Sequence, residues 1–312
     1  MRGDALAWWR APLRPICLLP FAVADGLLPG ETLQIHLGDH DQLALFEVAT
    51  KRDHGCVCQL LTRGVDNGDV CTVAPLLELV EHRKEGIGVW CQFACCGAAG
   101  ISEVELRTAE EEAALSELGL DSPGSASFLV AQASLLRDDA ASDATSDAVL
   151  ADRVSAEHEA VSALRRDALA LNANGPLSAS DRVTSGGDRL GPPPPIDSRV
   201  EFGHRLGPLI GPHLSLSEHV DLRSDTLRSR GVDEAPDAGL ERMRALWGCA
   251  DDDAATHRLL ASVACEALSD ASRLRLMALS DTTAKLELVL EALAARKSKL
   301  SAEVALRRAL DG

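Results

Sequence analysis

Long apolar runs are missing from this chain. The longest, Trp90 to Ile101, is interrupted by Gln92 and by glycines, so no stretch approaches the length needed to cross a bilayer, and no membrane span is expected. Clustered basic residues are missing as well. The net charge is -17 and the pI about 4.9, and without a Lys/Arg patch the footprint for a phosphate backbone is absent, which excludes nucleic acid as a partner. No lysine follows a glycine: Lys51, Lys84, Lys285, Lys297 and Lys299 follow Thr, Arg, Ala, Arg and Ser, so no phosphate-cradling loop of the Walker type exists. There is no Gly-x-Ser-x-Gly elbow, and His158-Glu159 lacks the second histidine of a zinc-protease helix, so no catalytic residues and no cofactor are expected.

Paired cysteine motifs are lacking too. The nine cysteines include no Cys-x-x-Cys, the spacing that marks a zinc knuckle. Met1 to Arg10 carry no apolar core of a secretory signal. An odd number of thiols without a framework reads as reduced cysteine inside the cell, with cytoplasm, plastid and mitochondrion left open.

What is present is a sizeable core, with 46% hydrophobic residues in 312. Residues 1–14 read as an N-terminal extension. Residues 15–139 read as a β domain: Ile87, Val89, Cys91, Phe93 and Cys95 alternate, as do Val104 with Leu106 and Leu129, Ala131, Ala133 with Leu135. Short helices are expected near Asp41–Thr50 and Glu110–Leu118. A turn is expected at Asp66-Asn67-Gly68-Asp69.

Residues 140–236 read as an insertion. It holds one amphipathic helix, Leu150 to Leu171, stopped by Asn172-Ala173-Asn174-Gly175 and followed by a flexible Pro/Gly-rich linker with a twice-occurring Gly-x-Arg-Leu-Gly-Pro. Residues 237–312 read as a helical bundle, with Ser269-Asp270 and Ser280-Asp281 placed as helix caps. The fold class is α+β.

Candidate chemistry reduces to a few side chains. Cys56 and Cys58 would share a strand face about 7 Å apart, whereas Cys91 and Cys95 would stand roughly 13 Å apart. Burial as small hydrophobes is favoured over a metal set of Cys56, Cys58 and Cys91, with Cys71 as a further thiol. A thiol-based metal or redox sensor is thus one alternative function, and a scaffold that self-associates through the Leu150–Leu171 helix is another. His36 alternates with the apolar Leu33, Ile35 and Leu37 and faces solvent on this reading. Trp8 and Trp9 pack on their own domain or anchor a partner.

The stretch Leu27-Leu28-Pro29-Gly30-Glu31-Thr32-Leu33-Gln34-Ile35-His36-Leu37 reads as strand, type II turn, strand. With Leu18-Leu19-Pro20-Phe21 before it, Val70 to Ala74, Phe128 to Asp139, and Arg273 to Leu286 after it, it resembles the Lon protease N-terminal (substrate-binding) domain family. The resemblance implies a PUA-like antiparallel β barrel followed by helices, with Pro29, Gly30 and His36 as motif residues. It implies a stand-alone, non-catalytic module that recognises unfolded or tagged polypeptide, or a protease or ligase subunit, in proteolysis or quality control. Asp39-His40-Asp41-Gln42 departs from the family's Glu-Pro-Arg-Tyr. Asp39, Trp8 and Trp9 remain as partner contacts.

Overall fold

The computed structural model describes residues 13–174 and 256–311, apart from 23–24, 64–68, 87, 117, 121–124, 137–143, 258, 262 and 265–266, together with 204–205 and 230–231. Trp8, Trp9, Ile87, most of the turn at Asp66–Asp69, the polyproline stretch and the boundary at 236/237 lie outside the described residues. Strands β1 (Arg14–Ala22), β2 (Thr32–Leu37), β3 (Cys56–Arg63), β4 (Asp69–Val70), β5 (Val73–Glu85), β6 (Gly88–Thr108) and β7 (Ser127–Leu136) precede two-residue strands β8 (His204–Arg205) and β9 (Arg230–Gly231). The helices are α1 (His40–Lys51), α2 (Ala109–Ser116), α3 (Ala144–Asn174), α4 (Asp270–Ala278) and α5 (Thr282–Asp311), with further helical turns within 256–267.

Strand pairings β1–β3, β3–β5, β5–β6, β6–β7 and β7–β1 close a ring. Closure leaves these five strands without free edges. Inside lie Ile16, Leu18, Cys56, Cys58, Leu60, Leu76, Ala99, Leu129 and Ala131, alternate residues from all five strands. The barrel is not wholly antiparallel: β1 and β3 run parallel, Leu18 opposite Cys58, because β2 and α1 intervene and return the chain in the same direction. β2 extends the barrel wall by pairing with the first half of β6.

A second core lies outside the ring, where Ala44, Leu45, Val48 and Ala49 of α1 cover Leu33, Ile35, Leu37, Val89, Cys91 and Phe93. The alternation of Val89 to Cys95 and of Leu129 to Leu135 therefore does mark buried faces. That of Val104 and Leu106 does not. Val104 is 8% exposed and Leu106 37%, because the register with β7 shifts between Ser102 and Glu105, where Glu103 takes a φ of 51°. A bulge rotates the strand between the two residues.

The third core is helical. Val154 and Val161 of α3 meet Leu286, Val289 and Leu293 of α5 and Leu274 and Met277 of α4, and reach Leu28, Leu61, Cys71 and Ala98 of the β part. Polar contacts give the direction of the long pair: Thr283 Oγ1 donates to Asp147 Oδ1 at 2.6 Å, Lys297 Nζ to Glu157 Oε2 at 2.8 Å, and Arg308 Nη2 to Asp167 Oδ2 at 3.5 Å. Both helices ascend together, so α3 and α5 are parallel.

Candidate functional site

The Pro-Gly turn sits where the β part meets the helices. Glu31 N donates to Leu28 O at 3.0 Å, and Gly30 has φ 94°, which with Pro29 ahead of it is the type II arrangement that favours glycine at this place. Gly30 N donates to Cys95 O at 2.9 Å and Cys95 N to Glu31 O at 2.8 Å, fastening the turn to β6. The residues before the turn are not a strand. Leu27 and Leu28 are irregular, and β1 ends at Ala22 and pairs with β3 and β7. Their amides are satisfied by side chains: Leu27 N donates to Gln59 Oε1 at 2.9 Å and Leu28 N to Glu31 Oε2 at 2.7 Å. Freed from a ladder, Leu28 turns into the helical core.

Glu31 then meets a residue from the far end of the chain. Arg273 Nη2 stands 2.5 Å from Glu31 Oε2 and donates to Gly26 O at 3.1 Å. The two side chains are 7% and 1% exposed, Arg273 first. A charge pair so deeply buried is tolerated because each partner neutralises the other, and removing one strands the survivor. Ser269 caps α4, accepting from Ser272 N at 3.3 Å, and so aims Arg273 at the turn. Asp281 Oδ1 likewise accepts from Thr283 N at 3.1 Å at the start of α5.

Between turn and helices opens a cleft of about 70 Å³. Leu28, Pro29, Ala98 and Leu136 form one wall, and Leu260, Ala261, Leu276, Met277 and the α4–α5 connection Leu279–Ser280 form the other, with His257 and Lys285 as its ionisable lining. That volume accommodates several waters or one aliphatic side chain. Apolar walls favour the latter.

Other expected site residues are placed elsewhere. His36 is half-buried, not fully solvent-facing, with its ring 5.2 Å from that of Trp90. It occupies a niche left by Gly88, where an added Cβ would stand 2.3 Å from His36 Nε2 and 2.7 Å from Leu37 O. Asp39 caps α1, accepting from Gln42 N at 2.6 Å while Gln42 Oε1 accepts from Gly38 N at 3.1 Å, in the manner of a capping box. Asp41 Oδ1 accepts from Ser127 N at 2.9 Å. The departure Asp39-His40-Asp41-Gln42 thus starts α1 and ties it to β7.

The cysteines are divided among cores. Cys56 and Cys58 lie inside the barrel, Cys91 beneath α1, and Cys71 in the helical core. No group of three potential metal ligands occurs among the described residues. Burial pushes the Cys91 thiol up to about 12, and burial, reinforced by the neighbouring Cys56, pushes Cys58 well above its ordinary value. Such thiols are poor nucleophiles and poor metal ligands.

A second buried polar group lies between α1, β1 and α2. Arg52 is bidentate to Asp53 at 2.6 and 2.8 Å, and its Nη1 donates to Glu112 Oε1 at 2.6 Å. Arg107 Nη1 donates to the other Glu112 oxygen at 3.0 Å, and Cys17 N to Asp53 Oδ2 at 3.2 Å. Satisfied from several sides, this network holds two helices to the barrel.

Glu31 and Arg273 were not expected from the sequence, although a signal existed. Arg273 is three and four residues before Leu276 and Met277, which puts it on the buried stripe of α4.

No protein-family model matches the chain, and no curated protein matches it. Among solved structures, the chain is similar to the N-terminal domain of the Mycobacterium avium complex Lon protease, at 12% identity and a TM-score of 0.43, covering 90% of this chain and 98% of that one. It is also similar to a Lon N-terminal domain protein from Xanthomonas campestris, at 13% identity and a TM-score of 0.32, covering 46% of this chain and 72% of the other. No helix among the described residues is long and apolar enough to cross a membrane.

Proposed function

We propose that this chain is a non-catalytic polypeptide-recognition module serving proteolysis or protein quality control. The observation that carries the reading is the apolar cleft between the Leu28–Pro29 turn and helices α4 and α5, held at a fixed width by the buried Glu31–Arg273 pair. A preformed apolar slot takes one aliphatic side chain of an unfolded segment and leaves the rest of that segment to the surrounding surface. Specificity for the unfolded state follows, since folded proteins keep such side chains inside.

The test uses reduced, carboxymethylated α-lactalbumin, which stays unfolded, and measures its binding to the full chain by fluorescence anisotropy. Binding is expected, with native α-lactalbumin failing to compete. Ala278→Leu, which fills the cleft from a half-buried position on its wall, is expected to abolish most of the binding while leaving the far-UV circular dichroism unchanged. Binding that is indifferent to Ala278→Leu, or absent altogether, overturns the reading.

A further inference from the structure

We propose that the cleft between the Pro29 turn and helices α4 and α5 receives the C-terminal residue of a polypeptide, its aliphatic side chain between the walls and its α-carboxylate on Lys285 and His257; this rests on the polypeptide-recognition reading above. Two basic side chains stand in an otherwise apolar slot. Lys285 is 7% exposed and His257 5%, and among the described residues no acidic side chain lines the cleft. In a chain of net charge -17 that lining is set apart by its sign. An ammonium carries three protons, so Lys285 can serve an incoming anion as well as a neighbour in its own chain, and an imidazole adds an N–H in either protonation state. Bonds formed there are stronger than at the surface, because little water competes.

The fold places these groups firmly. Lys285 N donates to Asp281 O at 3.0 Å, which puts Lys285 in the first turn of α5, and helical side chains lean towards the N-terminus, here back over the Leu279–Ser280 connection. Leu286, the next residue, is fully buried in the helical core and fixes the rotation of α5. The same end of α5 is the positive end of its dipole. Asp281, the acid nearest in sequence, is exposed and accepts from Thr283 N at 3.1 Å. A residue within a chain would bring its side chain flanked by two neutral amides, and would bury the basic groups against no anion. An internal Asp or Glu brings the anion but no apolar group to fill the slot. Only a C-terminal aliphatic residue carries both on one Cα. Capture of a terminal carboxylate is a recurring way of reading peptides, and the cleft of about 70 Å³ has room for one such side chain.

Two fluorescein-labelled peptides of sequence Gly-Ser-Gly-Ser-Ala-Leu, one ending in a free carboxylate and one amidated, test the proposal by anisotropy on the full chain. The acid is expected to bind at least about tenfold more tightly than the amide, and a third peptide ending in Ser with a free carboxylate to bind at least about tenfold more weakly than the Leu acid. Lys285→Met, which keeps the stem and removes the charge, is expected to bring the Leu acid and amide within about twofold of each other by weakening the acid alone. The acid–amide comparison uses the unaltered chain, so it decides the matter even where Lys285→Met does not fold. Equal binding of acid and amide, or no binding of either while carboxymethylated α-lactalbumin still binds, overturns chain-end capture and leaves the recognition reading standing. Failure of the peptides and of α-lactalbumin alike removes both. 4-Methylpentanoate that binds as tightly as the Leu acid identifies a small free acid as the occupant and also overturns the proposal.

Discussion

Glu31 and Arg273 show what a single buried pair contributes. Replacing Arg273 by Met leaves the Glu31 carboxylate desolvated beside Leu28 N, and replacing Glu31 by Leu leaves a buried guanidinium; either is expected to cost about 3–5 kcal/mol. The double variant Glu31→Leu/Arg273→Met carries no stranded charge and should recover most of that loss. Urea unfolding of the four proteins measures the coupling, and additive losses would show that the pair is not the unit. Gly88 makes a steric case at the same scale. Gly88→Ala is expected to destabilise by about 1–3 kcal/mol. His36→Ala in that background should restore only part, since Leu37 O, 2.7 Å from the new Cβ, is backbone and cannot move aside as the ring can. Recovery of the full stability would contradict this packing.

Local chemistry made several elements readable before their surroundings were known. Helix α1 follows from Asp39 and Gln42 flanking its first turn and from the apolar positions Leu45, Val48 and Ala49; the Pro29–Gly30 turn follows from the backbone preferences of its own two residues. Leu27 and Leu28 defeated the same reasoning. Pro29 biases Leu28 towards an extended conformation, which suggests a strand, but tertiary demand for Leu28 in the helical core, with side chains from Gln59 and Glu31 on their amides, made an irregular segment better. Val104 and Leu106 failed for a similar reason, because a bulge is fixed by the partner strand and leaves no local mark. At this scale Glu112 makes stability depend on pH, whereas burial shifts its network neighbour Asp53 in the opposite direction, upward. Burial alone would raise the Glu112 carboxyl too, but hydrogen bonds from Ser116, Arg52 and Arg107 and the Arg52 charge together hold it below its ordinary 4.5. A carboxyl held low in the folded state gives stability that is complete above the unfolded value and is lost as pH falls through the folded one. Glu112→Gln is therefore expected to lower stability at pH 7 and to flatten the acid side of the stability–pH curve below about 4.5. An acid limb of unchanged slope in thermal unfolding would remove Glu112 from this role.

For the whole molecule, what was least visible in the sequence is what joins its parts. Nothing near Glu31 announces Arg273, and closure of the barrel through β1 and β3 depends on pairings between segments that are each unremarkable alone. The helical core draws on the turn, the barrel wall, α3, α4 and α5 together. Removing residues 144–174 is expected to uncover Leu286, Val289 and Leu293, giving a protein that binds a hydrophobic dye and aggregates. The intact chain should unfold in one transition, seen at the same urea concentration by far-UV circular dichroism and by tryptophan fluorescence. Two separated transitions would mean that the barrel and helices stand independently. The exposed ion pairs along α3 and α5, such as Lys297–Glu157, contribute little to that cooperativity.

Because α3 and α5 climb side by side in one direction, the chain must descend between them. Asn174 is level with the far end of α5, whereas His257 lines the cleft beside Ser280 at its near end. The drop is on the order of 40 Å for helices of this length, which even a fully stretched backbone needs about a dozen residues to cover. Engineering that shortens the stretch after Asn174 therefore meets a geometric floor. Below it, the long helices would have to part or one of them unwind.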